Sequence, residues 1–421
     1  MTPFLEAIRP QRRQAGLRIG FLFNHDQTHQ VAHSLPIAMA LARAGVAAEI
    51  VVATTNPRLT AEVRRMAGSL LGSRLRLVEL NLRRPTSRLV SATLGLILPA
   101  EKLVIYRDNL DFFRSLDVLV VAEKTSLVLK TLYGLKDLKI VYTSHGAGDR
   151  AIGFDAANAE CDLLLIAGPK IRDRMIADAG VAPERLVIVG YPKFDCLEAP
   201  PDLGPVIEDG RPVVVYNPHP APHLSSWYVA GRKVLDWFAD QDDYHLIFAP
   251  HVMLFERPVT LTIDPPGIHW AGQIADRFLR APNIHIDLGS RASTTMAYTQ
   301  RADIYLGDAS SQIYEFLLRP RPCVFLNPMG LSWAGDANFA HWRAGPVIEN
   351  VADLGAALGR ARAEHAGIYR PVQQRLFDST FDLTDEPSSE RAARALARFT
   401  GLSPVRRPLA EARTPDLAPA A

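Results

Sequence analysis

Residues 302–315 read Ala302-Asp303-Ile304-Tyr305-Leu306-Gly307-Asp308-Ala309-Ser310-Ser311-Gln312-Ile313-Tyr314-Glu315. The apolar run through Leu306 has the length of a buried strand, the small hydroxyl-rich stretch after it suits a turn, and Ser311 with Glu315 lies near capping-box spacing for a helix start. Strand, turn and helix in that order make the repeating unit of a parallel α/β sheet. The turn of such a unit brings backbone N–H groups, Ser hydroxyls and the positive end of a helix dipole to one point, which favours a phosphate. The same residues also make an ordinary helix cap, so the functional reading depends on what the rest of the chain supplies.

Working outward, short apolar runs alternate with helix-like segments along most of the 421 residues. Strands are expected at Leu17 to Phe23, Ala48 to Ala53, Leu75 to Leu80, Asp117 to Ala122, Lys139 to Thr143, Leu163 to Ala167 and Leu186 to Val189. A second series is expected at Pro212 to Tyr216, His245 to Phe248, Ile284 to Asp287, Asp303 to Leu306 and Cys323 to Leu326. Between them, Leu197 to Arg211 is rich in Pro, Gly and acid and reads as a linker. The expected organisation is therefore α/β, with two Rossmann-like domains over 1–200 and 211–400 that face a central cleft. A helix is expected at Ser388 to Phe399, and the Pro- and Ala-rich tail 401–421 is expected to be disordered. Open α/β sheets bind ligands at the carboxyl ends of their strands, so polar residues just after strands matter most.

Composition narrows the function. A net charge of +2 from 47 basic and 45 acidic residues gives no basic footprint for nucleic acid. Arg12, Arg13, Arg64, Arg65, Arg83, Arg84 and Arg88 nevertheless crowd the segment before Glu101, beside apolar Leu89 to Pro99. That face suits either solvent or a peripheral contact with anionic lipid. Three cysteines without a CxxC pairing suggest neither a disulfide framework nor a zinc site, and a reducing cytoplasm is expected. Neither a secretory signal nor a run of transmembrane length is read in the chain.

Four polar clusters follow expected strands. Asn24-His25-Asp26-Gln27-Thr28-His29 follows the first strand and is expected to touch an acceptor substrate rather than a metal. Thr143-Ser144-His145-Gly146-Ala147-Gly148-Asp149-Arg150 combines glycines that admit a ligand with an imidazole suited to proton abstraction. Tyr216-Asn217-Pro218-His219-Pro220 and Phe248-Ala249-Pro250-His251 each end a strand with Pro-His, whose ring can donate to phosphate. A P-loop, HExxH, GxSxG and a GxGxxG after the first strand are all lacking, which disfavours the corresponding ATPase, protease, hydrolase and dehydrogenase classes.

These clusters together resemble the CDP-glycerol glycerophosphotransferase family. Ser144-His145-Gly146 falls where that family has Trp-His-Gly, and Gly190-Tyr191-Pro192-Lys193-Phe194-Asp195 is similar to its Gly-Tyr-Pro-Arg-Asn-Asp motif. Gly307-Asp308-Ala309-Ser310-Ser311 with Glu315 looks like its Ser-Asp-Tyr-Ser-Ser segment, followed by Arg319 to Phe325. Thr384-Asp385-Glu386-Pro387-Ser388-Ser389-Glu390-Arg391 resembles its Asp-Gly-x-x-Ser-x-Arg ending. The likeness runs from about Lys139 to Arg391; Ser144 replaces the Trp, and Ala147 to Arg150 replaces Thr-Pro-Leu-Lys.

The resemblance implies a GT-B fold (two Rossmann-like domains facing a cleft) and transfer of glycerol phosphate from CDP-glycerol, or a related CDP-alcohol, to a glycan or glycolipid hydroxyl. It implies His145 as general base, with His251, Ser310 and Ser311 on the pyrophosphate and Asn217 and His219 also on the donor. Asp308 and Glu315 would orient the turn or hold ribose hydroxyls. His25, Arg150 and Lys193 would meet the acceptor, and neither a metal nor a cofactor is called for. Two other readings stay open: a GT-B sugar-nucleotide enzyme (a glycosyltransferase or UDP-GlcNAc 2-epimerase-like isomerase) and a non-catalytic binding protein on the same scaffold.

Overall fold

A computed structural model describes residues 16–24, 27–83, 100–143, 146–197, 209–256, 259–263 and 266–402. The Leu89 to Pro99 stretch, the linker centre and the terminal tail lie outside the described residues.

The β-branched runs of the first half form strands β1 (Leu17–Phe23), β2 (Ala48–Thr54), β3 (Leu75–Glu79), β4 (Val118–Val121), β5 (Lys139–Thr143), β6 (Leu163–Ile166) and β7 (Leu186–Ile188). They make one parallel sheet in the order β3-β2-β1-β4-β5-β6-β7. Strands β8 (Val213–Asn217), β9 (His245–Phe248), β12 (Ile284–Ile286), β13 (Ile304–Gly307), β14 (Cys323–Leu326) and β15 (Val347–Ile348) form a second parallel sheet, ordered β12-β9-β8-β13-β14-β15. An antiparallel hairpin, β10 (Val259–Ile263) and β11 (Pro266–Trp270), stands apart from both sheets. The expected strands agree with the observed ones to within a residue or so at each end; β10, β11 and β15 are additional.

Strand order reverses between β1 and β4 in one sheet and between β8 and β13 in the other, so each sheet opens a crevice at its switch point. Alternate side chains of each strand feed different cores. Ile19, Phe21, Val118 and Val120 pack in a core closed by the helix Ser388–Phe399 through Ala392, Ala393 and Leu396. Val214, Tyr216, Leu246 and Phe248 pack in an outer core of the second sheet. A third core is continuous from Leu22, Leu119 and Ile140 of the first sheet to Val215, Tyr305 and Phe325 of the second. The helix Ser388–Phe399, last in the described chain, thus packs on the first sheet, against the helix Leu35–Ala44.

Two of the sequence motifs are partners in this return. Gly190 has φ +84°, in the left-handed region, and a Cβ there would lie 2.3 Å from the Ser388 Oγ. Ser388 Oγ instead accepts from Tyr191 N at 2.9 Å. Asp195 accepts from Ser388 N and Ser389 N at 3.2 and 2.6 Å, placing a carboxylate on the free N–H groups of that helix. The Gly190 to Asp195 and Thr384 to Arg391 motifs form one joint.

Candidate functional site

The turn after β13 differs from its sequence reading in one respect. The helix that follows is only Ile313–Phe316, a single turn ahead of Pro320, so it carries little of the macrodipole expected of it. The turn is instead fixed by buried hydrogen bonds. Asp308 is fully buried and accepts from His219 N at 2.9 Å, Ser226 N at 2.6 Å and Ser226 Oγ at 2.7 Å. Its carbonyl accepts from Trp342 Nε1 at 2.9 Å. Burial pushes the Asp308 carboxyl up to about 6 against the pull of these donors. Ser310 Oγ donates to Asn217 Oδ1 at 2.7 Å, and Asn217 Nδ2 donates to Ala249 O at 2.6 Å. Asp308, Ser310 and Asn217 thus join the ends of β13, β8 and β9, while Ser311 is exposed.

Across the cleft, the loop after β5 meets this turn. A Cβ on Gly148 would lie 2.9 Å from Ser311 Cβ, so only glycine permits the approach. Ser144 and His145 themselves, like His25, lie outside the described residues; Thr143 and Gly146 flank them. Asp149, next in the loop, is buried and accepts from Lys170 Nζ at 2.6 Å, Tyr314 Oη at 2.8 Å, and His341 N and Nδ1 at 3.1 and 2.9 Å. Burial raises the Asp149 carboxyl, but the His341 hydrogen bond and the Lys170 charge win and hold it well below the usual carboxylate range. Asp149 and Tyr314 stand in the sequence clusters without an assigned role, and Lys170, His341 and Trp342 in none of them. The available signals were an acid directly after Gly146-Ala147-Gly148 and the aromatic run Phe339-Ala340-His341-Trp342.

Arg150 then reaches the Pro-His turn of the second sheet, with Nη1 2.8 Å from His219 Nε2. His219 Nδ1 accepts from Ala221 N at 3.0 Å, which leaves the ring proton on Nε2, facing a guanidinium that can only donate. Two donors thus stand against each other. The His251 ring lies 6.4 Å from His219, and its Nδ1 accepts from Met253 N at 3.3 Å, so its Nε2 is also a donor. Burial, then the charges of Arg150, His251 and His223, hold His219 well below the usual imidazole range. Burial likewise lowers Arg150. This crowd of donors and cations is what an anion would complete.

Lys193 and Glu315, expected at acceptor and donor respectively, are both buried and bonded to each other, Nζ to Oε1, at 2.5 Å. That pair ties the Gly190 to Asp195 motif to the turn after β13. Beside His251 the cleft widens into a cavity of about 600 Å³, lined by Gln27, Thr28 and Arg58 from the first half and Val252, Phe255 and Ser290 from the second. Gln27 and Arg58 both contact Glu256 across it.

No family model and no curated protein matches the chain. Solved structures do match in fold. A wall teichoic acid polymerase TagF variant soaked with CDPG aligns with TM-score 0.58 and 12% identity, covering 91% of this chain and 89% of the other. UDP-GlcNAc 2-epimerase from Neisseria meningitidis, bound to UDP-GlcNAc, aligns with TM-score 0.55 and 10% identity over 91% and 99% of the two chains. A glycotransferase of kitacinnamycin gives TM-score 0.51 and 15% identity over 92% and 99%. The chain has the GT-B fold of these proteins.

Proposed function

We propose that the protein transfers a glycerol-phosphate or related alditol-phosphate unit from a CDP-alcohol to an acceptor hydroxyl on a glycan or glycolipid, releasing CMP. The observation that carries this reading is the donor-to-donor contact of Arg150 with His219, with the His251 donor nearby, where the loop after β5 meets the Pro-His turn of the second sheet. A pyrophosphate supplies the acceptors that this cluster lacks. Likeness in fold to a teichoic acid polymerase soaked with CDPG supports the choice of donor class.

In this scheme the acceptor oxygen attacks the phosphorus distal to the cytidine, the bridging P–O bond breaks, and the electron pair leaves with CMP. His145, two residues past the end of β5, takes the hydroxyl proton; a positioned base contributes about 10² to 10⁴-fold. Arg150 neutralises the charge that builds on the leaving phosphate, His219 and His251 donate to it, and Ser311, packed against Gly148, offers a hydroxyl from the turn that faces the same loop. Asp308, Ser310 and Asn217 act one step back by fixing the Pro-His turn. The first domain presents the acceptor through the loop bearing His25, and the second holds the nucleotide.

The test is a binding and turnover panel. Calorimetry should show affinity for CDP-glycerol above that for UDP-sugars, and Arg150→Ala should weaken it about tenfold or more, as expected for a lost charge-assisted hydrogen bond. His145→Ala should bind the donor but lose CMP release with acceptor present. Likeness in fold to UDP-GlcNAc 2-epimerase favours a second reading, a sugar-nucleotide enzyme. Selective binding of UDP ligands would replace the first reading with this one.

A further inference from the structure

The β10–β11 hairpin is built inside out. Its register pairs Val259 with Trp270, Thr260 with His269, Leu261 with Ile268 and Thr262 with Gly267. Cross-strand partners share a face, so Val259, Leu261, Ile268 and Trp270 lie on one side and Thr260, Thr262 and His269 on the other. In a hairpin laid on a protein core the apolar side faces inward. Here the polar side does: Thr262 Oγ1 and His269 Nε2 are 3.1 Å apart, and the His269 ring sits 5.8 Å from Tyr228. The apolar side faces out, with Val259 48%, Leu261 69%, Ile268 78% and Trp270 69% exposed. Four large apolar side chains, paired across two strands and turned away from the fold, form a patch that folding does not explain.

Its surroundings indicate the covering medium. Trp227 Nε1 donates to Ala271 O at 2.9 Å, which pins the end of β11 to the domain. Immediately beyond, the Arg232 guanidinium abuts Gly272. Arg232 and its neighbour Lys233 are exposed and carry no ion pair among the described residues. The other exposed bases close in sequence are neutralised, Arg277 by Asp236 and Arg280 by Asp276. At the base of the hairpin the Arg232 guanidinium therefore supplies a positive charge with no ion pair among the described residues. Trp beside aliphatic side chains, edged by Arg and Lys, is the composition that seats a protein in the headgroup region of an anionic bilayer. The free backbone edges of a two-stranded hairpin limit it to that shallow depth. No helix among the described residues is long and apolar enough to cross a membrane, so the contact is peripheral.

We propose that the outer face of the β10–β11 hairpin docks the protein on an anionic lipid surface, with Trp270, Ile268, Leu261 and Val259 entering the interface and Arg232 and Lys233 on the headgroups. The proposal stands on the hairpin alone and does not depend on the nucleotide chemistry assigned to the cleft.

The experiment is co-sedimentation of the full chain with vesicles of phosphatidylcholine containing phosphatidylglycerol. Wild type should bind, and Leu261→Ser with Ile268→Ser should lower partitioning about tenfold or more with an unchanged circular dichroism spectrum. Lipids brominated in the acyl chain should quench part of the tryptophan emission of wild type, and that part should be lost in Trp270→Phe. This second readout needs no destabilising change. Failure of wild type to bind, binding of the double variant at wild-type strength, or quenching that survives in Trp270→Phe would each overturn the proposal. So would a concentration-dependent dimer, seen by light scattering, that the double variant abolishes without any lipid binding; the face would then cover a second copy of the chain.

Discussion

At the scale of the residue, His219 carries the most specific consequence. In the free protein its ring is held neutral well below about 6.5 by burial and by Arg150, His251 and His223, with Nδ1 occupied by a backbone N–H. Nε2 already carries the ring proton and Nδ1 accepts from Ala221 N, so the neutral ring can donate to a bound pyrophosphate without gaining a proton. His219 should therefore add no proton uptake to donor binding. Calorimetry at pH 7 in two buffers of different ionisation enthalpy should give the same enthalpy difference for wild type and His219→Gln, with weaker binding in the variant. Equal affinity in the variant would remove the phosphate from this position. The stability of the empty protein does respond to pH through this ring. A histidine with a depressed folded pKa stabilises above its unfolded value and loses that contribution as pH falls below about 6.5. His219→Gln should accordingly flatten the acid side of the Tm profile.

At the scale of the element, the joint between Gly190 to Asp195 and the helix Ser388–Phe399 makes a measurable claim. Asp195 serves both as cap and as a charge at the helix N-terminus, so Asp195→Ala should cost about 1–2 kcal/mol in urea unfolding and speed amide exchange at Ser388 and Ser389. Gly190→Ala should cost more, since it adds a left-handed φ to a collision with Ser388. An Asp195→Ala midpoint equal to wild type would mean the cap is not formed. The strands of both sheets were legible because β-branched runs bounded by Gly and Pro leave few alternatives. The hairpin was legible in principle from the strict alternation Val259-Thr260-Leu261-Thr262, but its inverted orientation was not, because alternation does not say which face turns inward. Nor did the sequence show Lys193 and Glu315 as partners of each other. They are 122 positions apart, and only the packing of one sheet's loops on the other's brings the two charges together.

At the scale of the whole molecule, the two sheets are joined unevenly. On one side runs a continuous core in which Tyr191, Phe194, Tyr314, Phe377 and Phe381 meet. Phe381 has ring centroids 5.1 Å from Tyr191, 4.9 Å from Phe194 and 6.2 Å from Tyr314. The Lys193–Glu315 pair and the Asp149 network lie beside it. At the cavity, exposed contacts of Glu256 with Gln27 and Arg58 also link the halves, and exposed pairs of that kind contribute about 0–1 kcal/mol. Two Rossmann-like halves joined by loops alone would melt separately. A shared aromatic core couples them, and the full chain should give one calorimetric transition. Phe381→Ala removes the ring common to both halves at a cost of about 3–5 kcal/mol. Because that loss falls on the interface and not on either sheet, it should split the single transition into two, with the strands of both sheets still protected from exchange before the first. A single transition merely shifted to lower temperature would show that the halves are coupled elsewhere, and the Asp149 network would be the next connection to cut.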